Sequence, residues 1–245
     1  MNKVERINNA CSKIQFLSGA WLKLIAMISM LVDHVNKALI YPNLVSSDGL
    51  LAAVSNIFDV IGRIAFPLFC FMVVEGYFKT RSRKKYLLNL LIFGIISEVP
   101  FDMFSTASFF NMNWNNVMFT LALVLITIWS IDALKGKMQK LPKVLWYLAS
   151  LLIIVVMCSA AMYLGLDYEH HAILIGYFFY LFRDIRILTI PFGYASMYTQ
   201  PWSLLGFGLT LTYNGRRGRQ NKWVNYWFYP VHLLILGMLR FYLGI

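Results

Sequence analysis

Long apolar runs, parted by short polar connections, set the rhythm of this chain. Nine of them follow one another, at 21–41, 57–78, 86–104, 116–134, 144–164, 169–182, 187–199, 201–213 and 224–243. Most come close to the roughly 20 residues that a helix needs to cross a hydrocarbon core about 30 Å thick. None alternates like a barrel strand, and a backbone in lipid must satisfy its own hydrogen bonds, so the runs predict helices. The expected fold class is therefore all-α, a polytopic transmembrane helical bundle of about nine spans. Segments six to eight are short, as helices can be when they cross part way or lie buried among neighbours. Ahead of the first run, Val4, Ile7, Cys11, Ile14 and Leu17 recur every three or four residues between Lys3, Arg6 and Lys13. Over 1–20 that spacing fits an amphipathic segment on the membrane surface or a frayed tail, and 21–245 reads as one transmembrane domain.

Composition strengthens this picture. The chain is 59% hydrophobic and 13% charged, against about a quarter charged in soluble proteins, which excludes an ordinary soluble domain. A formal charge of +11 would point to nucleic acid if it lay on a soluble surface. Here the cations gather between the apolar runs: at the N-terminus, 79–85 (KTRSRKK), 135–143 (KGKMQKLPK), 183–186 (RDIR) and 214–222 (NGRRGRQNK). The connections at 42–56, 105–115, 165–168 and 200 contain no Lys or Arg. With nine spans, every basic connection falls on one face. The positive-inside rule makes that face cytoplasmic, with the N-terminus inside and the C-terminus outside. The expectation is a multi-pass protein of the cell membrane whose partner is the lipid bilayer and not nucleic acid. Cys11, Cys70 and Cys158 are dispersed, which gives neither a disulfide framework nor a zinc site. The first apolar run is long enough to stay as an anchor rather than serve as a cleaved signal.

Charges inside spanning helices are costly and mark functional sites by default. This chain places Lys23, Asp33, His34 and Lys37 in the first run, Asp59, Arg63 and Glu75 in or beside the second, Glu98 and Asp102 in the third, and His232 in the last. Lys23 and His34 are eleven residues apart, about three turns, so they share a face and stand roughly 16 Å apart along the axis. Antiparallel neighbours then bring Glu75 to the depth of Lys23, and Arg63 and Glu98 nearer that of His34. Two polar layers result, one facing the cytosol and one deeper.

An imidazole is the natural general base at neutral pH. Asp33 adjoins His34 in sequence but points about 100° away on a helix, so Glu98 from another helix is an equally good partner. Hydrogen bonding between helices is the plainer alternative for His34 and Asp33. His232 follows Pro230, and either lines the same cavity or caps carbonyls that the proline frees. In the DYEHH run, His170 and His171 are adjacent rather than four apart, which favours a loop or helix cap over a metal site. Arg81, Arg83, Lys84 and Lys85 can set topology and also meet the phosphates of a cofactor.

The strings LKLIAMISMLVDHV (22–35) and IGRIAFPLFCFMVVEGYFKTRSRKKYLLNLLIFGIISEVPFDM (61–103), with the 116–123 stretch, DYEHH and the closing YPVH, resemble the TraX family. That family is named for a conjugal-transfer protein that acetylates the N-terminus of F-pilin. Lys23, ten residues and His34 are also similar to the first helix of acyltransferase-3 type membrane acyltransferases, and the turn at Glu75 with its basic tail looks like their second helix. These resemblances imply acetyl-CoA as donor and His34 as base or transient acyl carrier. They put Lys23 on the coenzyme side, and Glu75, Arg81, Lys84 and Lys85 fall on that side too.

The expected chemistry is acetyl transfer from cytosolic acetyl-CoA to a peptide N-terminus or a glycan. In it Arg63 stabilises the oxyanion and Asp33 or Glu98 orients the imidazole. A proton-coupled small-molecule transporter using the same charges is the alternative, though no repeated halves are visible. An intramembrane hydrolase built from Glu75, Glu98, His171 and His232 lacks a closely spaced motif.

Overall fold

A computed structural model describes residues 13–44, 49–111 and 113–245. Helix α1, Gly19–Val35, runs on through a π turn, Asn36–Ile40, and a 3-10 turn, Tyr41–Asn43. Then come α2 Leu50–Gly62, α3 Ala65–Lys79, α4 Arg83–Thr106, α5 Val117–Lys137, α6 Lys143–Tyr163 and α7 Glu169–Leu181. After a 3-10 stretch, Arg183–Leu188, follow α8 Thr189–Ser196, α9 Ser203–Thr210 and α10 Lys222–Leu243. Among the described residues there is no strand. The starts follow capping rules: Ser18, Ser82, Asn116 and Asn221 each accept a backbone N–H of the helix they open. The segment expected over 1–20 lies, up to residue 12, outside the described residues.

Among the described residues, five stretches are long and apolar enough to cross a membrane: Gly19–Asn43, Leu50–Lys79, Arg83–Thr106, Val117–Lys137 and Lys143–Tyr163. Two expectations change. The second segment is not one helix from 57; it starts at Leu50 and breaks at Arg63 and Ile64. Pro67 causes the break, since it has no N–H for the Arg63 carbonyl and its ring crowds that oxygen. Ser29 of α1 satisfies carbonyls at the break, its hydroxyl donating to Ile61 O at 2.6 Å and to Gly62 O at 3.3 Å. The expected spans at 187–199 and 201–213 are also corrected. Each holds one eight-residue α-helix, about 12 Å long, in a stretch interrupted by Pro191, Gly193, Pro201, Gly206 and Gly208.

Packing then gathers the chemistry. Helix α10 buries His232, Leu233, Leu236 and Gly237 as one stripe and exposes Val231, Leu234, Ile235 and Met238. The stripe lies on α4, and Gly237 permits the approach, because a Cβ there would sit 2.7 Å from Met103 Cβ. Arg240 ties the same pair further along, donating to the Phe104 carbonyl at 2.5 Å. Helix α6 exposes Leu148, Leu151, Leu152, Val155 and Val156, a face suited to lipid. The connections richest in Lys and Arg meet at one end of the bundle, bound through Lys79–Tyr213, Arg183–Glu75 and Arg186–Thr210. At the opposite end, the connection before α5 is bonded to the one before α7 through Asn115 and Gly165.

Candidate active site

The first and last helices meet through two imidazoles. His34 Nδ1 lies 2.7 Å from His232 Nε2, the rings 5.0 Å apart and 13° from parallel. His232 Nδ1 lies 2.6 Å from the Phe228 carbonyl one turn back on α10. The Phe104 and Tyr229 rings pack on His34, at 4.7 and 6.5 Å. His232 is buried and His34 half-buried. His34 Nε2 makes no hydrogen bond among the described residues.

The carboxylates expected to aim the ring are committed elsewhere. Asp33 bonds Lys37 at 2.7 Å and sits on the break between α2 and α3, where a Cβ on Gly62 would come within 2.5 Å of its side chain. Glu98 accepts from Asn116 Nδ2, and Asn116 also bonds the Gly94 carbonyl at 2.9 Å and caps α5. The partner of His34 is thus His232, not Asp33 or Glu98. Both carboxylates stay close by. Tyr229 is within electrostatic reach of Glu98, Asp167 and Tyr168, and His34 within that of Lys37.

Beyond Lys37, a cavity of about 410 Å³ is lined by Lys37, Arg63, Trp114, Asp167, Tyr168 and His171, among others. Arg63 is held by Asp59, four residues earlier on the same stretch. The wall at 164–168 is pinned in place: Asn115 donates to Gly165 O at 2.8 Å, Asp167 donates to Asn115 O at 3.0 Å, and Thr120 donates to Asp167 O at 2.7 Å. These clamps hold Tyr168 and Glu169 at φ 63° and 40°, a left-handed conformation that persists only where the surroundings impose it and that clusters at binding sites. Burial pushes the Asp167 carboxyl up to about 6; Lys37 works against the rise and Asp33 with it.

At the basic end, Lys23 is half-buried and has no hydrogen-bond or ion-pair partner among the described residues. Its electrostatic neighbour is another cation, Arg217. Arg217 belongs to a strap bonded along the start of α1, with Gly19 N–H on Arg216 O and Ala20 N–H on Arg217 O, both at 2.9 Å. Among the described residues neither cation has a counter-ion, and such a pair makes a seat for an anion. Glu75 lies nearby in the fold but is engaged by Lys79 at 3.0 Å and Arg183 at 3.5 Å. Arg81, Lys84 and Lys85 stand exposed. Arg83, between them, turns inward over the Tyr77 ring at 3.9 Å, with Asp132 3.8 Å away.

Sequence reasoning left two of these residues without their place. His232 is 198 positions from its partner, and the sequence offered it a place lining the cavity or capping carbonyls freed by Pro230, not a bond to His34. Arg217 read as one of several loop cations, with nothing local to set it against Lys23.

A family model described as "TraX protein" matches residues 18–240. The chain is 28% identical over 248 residues to a protein of Dichelobacter nodosus named probable fimbrial assembly protein FimC, serogroup H1, and the match covers 92% of this chain and 97% of that protein. No solved structure matches.

Proposed function

Since the chain belongs to the TraX family, we propose that it is a multi-pass cell-membrane acetyltransferase, moving an acetyl group from cytosolic acetyl-CoA to an acceptor at or beyond the membrane. The observation that carries this reading is His34, an imidazole with an unengaged Nε2 set between a cationic mouth and a polar cavity. By the positive-inside rule the basic end faces the cytoplasm and the cavity faces out. Lys23 and Arg217 then meet the donor's phosphates, with Arg81, Lys84 and Lys85 adding a diffuse field and Glu75 holding Lys79 and Arg183 in place.

The acceptor sits in the cavity beside Arg63 and Asp167. Its amine or hydroxyl attacks the thioester carbonyl while His34 Nε2 takes its proton. Arg63 meets the negative charge that grows on the carbonyl oxygen. Collapse expels the coenzyme A thiolate, which takes the proton from His34, leaving an acetylated acceptor and a free thiol. The fimbrial relative supports a peptide N-terminus on a filament subunit as acceptor over a glycan hydroxyl.

Purified protein in nanodiscs, given acetyl-labelled acetyl-CoA without acceptor, tests the class. Binding or slow hydrolysis of the thioester is expected. Wild-type protein indifferent to the donor would favour proton-coupled transport by the same charges. His34→Ala should insert normally and lose transfer; a variant that still transfers removes His34 from the mechanism.

A further inference from the structure

Two hydrogen bonds fix where the protons sit on the histidine pair. A carbonyl oxygen only accepts, so the Phe228 carbonyl, 2.6 Å from His232 Nδ1, requires a hydrogen on that nitrogen. In a neutral ring the other nitrogen, Nε2, is then an acceptor. It faces His34 Nδ1 at 2.7 Å, so His34 Nδ1 carries the hydrogen and donates it. The lone pair of His34 is left on Nε2, the nitrogen with no partner among the described residues. An unconstrained histidine places its hydrogen chiefly on Nε2, where it would block this chemistry.

The geometry points to His232 as a positioning residue for the transfer reaction, anchored on the Phe228 carbonyl and holding His34 in the tautomer that presents Nε2 as base. This rests on the acetyl-transfer reading above. When His34 takes a proton at Nε2, the hydrogen between the rings moves toward His232 Nε2. The positive charge is shared by the two imidazoles, and His232 Nδ1–H stays on its carbonyl. An aspartate performs this orienting task in the serine-protease triad. Here the carboxylates that could do so, Asp33 and Glu98, are bound to Lys37 and Asn116. A second imidazole is neutral at rest and spares the bundle another buried charge, which is costly in a membrane. The seat of His232 is firm: Gly237 of the same helix packs on Met103, and Arg240 binds the carbonyls of Phe104 and Ser105.

Nitrogen-15 NMR of histidine-labelled wild-type protein in nanodiscs, assigned with His34→Gln, reads the tautomer directly. A His34 hydrogen on Nδ1 is expected, and it should return to Nε2 in His232→Ala. Finding it on Nε2 in the wild type overturns the assignment. In kinetics, His232→Ala should lower kcat about 100-fold, the low end for a positioned base, and shift the KM for acetyl-CoA by no more than roughly two-fold. His232→Gln, whose amide oxygen replaces the Nε2 acceptor, should recover most of that loss, while the shorter His232→Asn should not. An unchanged kcat in His232→Ala, or equal rates in the Gln and Asn variants, would also overturn it. Should His232→Ala fail to fold, the wild-type spectrum decides. A protein with the stated tautomer but no acetyl transfer keeps the tautomer assignment and overturns the acetyl-transfer reading, and with it the positioning role.

Discussion

Tyr168 lies flat against Phe66, ring centroids 3.5 Å apart and planes 2° from parallel. The stack joins the loop before α7 to the start of α3, just ahead of Pro67, and forms part of the frame that holds Tyr168 at φ 63°. At such a backbone angle any side chain but glycine's meets steric resistance. Replacing Tyr168 by Gly or by Ala removes the stack either way, and only glycine also relieves the backbone. We expect Tyr168→Gly to be the more stable of the two by about 1 kcal/mol, the reverse of the order usual within helices. Thermal unfolding in one detergent measures it.

Gly62 and Asp33 touch in a second way that can be tested. A Cβ at residue 62 would lie 2.5 Å from both Cβ and Oδ1 of Asp33. Gly62→Ala must push α1 away from the α2–α3 break, at a cost of about 1–3 kcal/mol typical of overpacking. Transfer should fall with it, since His34 adjoins Asp33. At Gly208 nothing lies within 4 Å of an added Cβ, so Gly208→Ala should leave both melting temperature and activity unchanged or slightly improved.

Asp167 makes stability depend on pH. Burial raises its carboxyl to about 6, above the ordinary value of about 3.9. Between those two values the folded chain holds a proton that the unfolded chain has released. Its contribution to stability is therefore fully present below about pH 4 and is lost as pH rises through 6. Melting curves of wild type and Asp167→Asn should diverge across this window, the variant being the more stable of the two at pH 7.5. Parallel curves would place the titration elsewhere.

Donor affinity should respond to the cationic mouth. Lys23→Gln or Arg217→Gln should each raise the KM for acetyl-CoA roughly 10-fold, the scale of one charge-assisted hydrogen bond, with kcat little altered. Added salt should weaken binding less in the variants than in wild type. Steady-state kinetics at two ionic strengths reports both effects.

Much of this was legible in the apolar pattern, for a physical reason. Lipid forces unbroken helices, so the runs around residues 21–41, 86–104, 116–134 and 144–164 became α1, α4, α5 and α6 with ends shifted by a few residues. The pattern did not show the break at Arg63, because apolar content is continuous across it. Pro67 was the available sign. The pattern also read short spans at 187–199 and 201–213, where prolines and glycines leave two eight-residue helices. Spacing on one helix put His34 in the deeper layer, but what meets that ring depends on how α10 packs on α4 through Gly237. Such contacts between distant segments have no local signature. For the same reason Asp33 and Glu98, left as equal candidates to orient His34, prove to be bound to Lys37 and Asn116.

The histidine pair joins residues 198 positions apart, one on α1 and one on α10. A nascent chain inserted as far as Arg217 already has both cations of its mouth, the residues that line its cavity and His34, but nothing to hold that ring. On the acetyl-transfer reading, competence arrives only once α10 is in place, and a molecule cut short of His232 would hold its base unaligned.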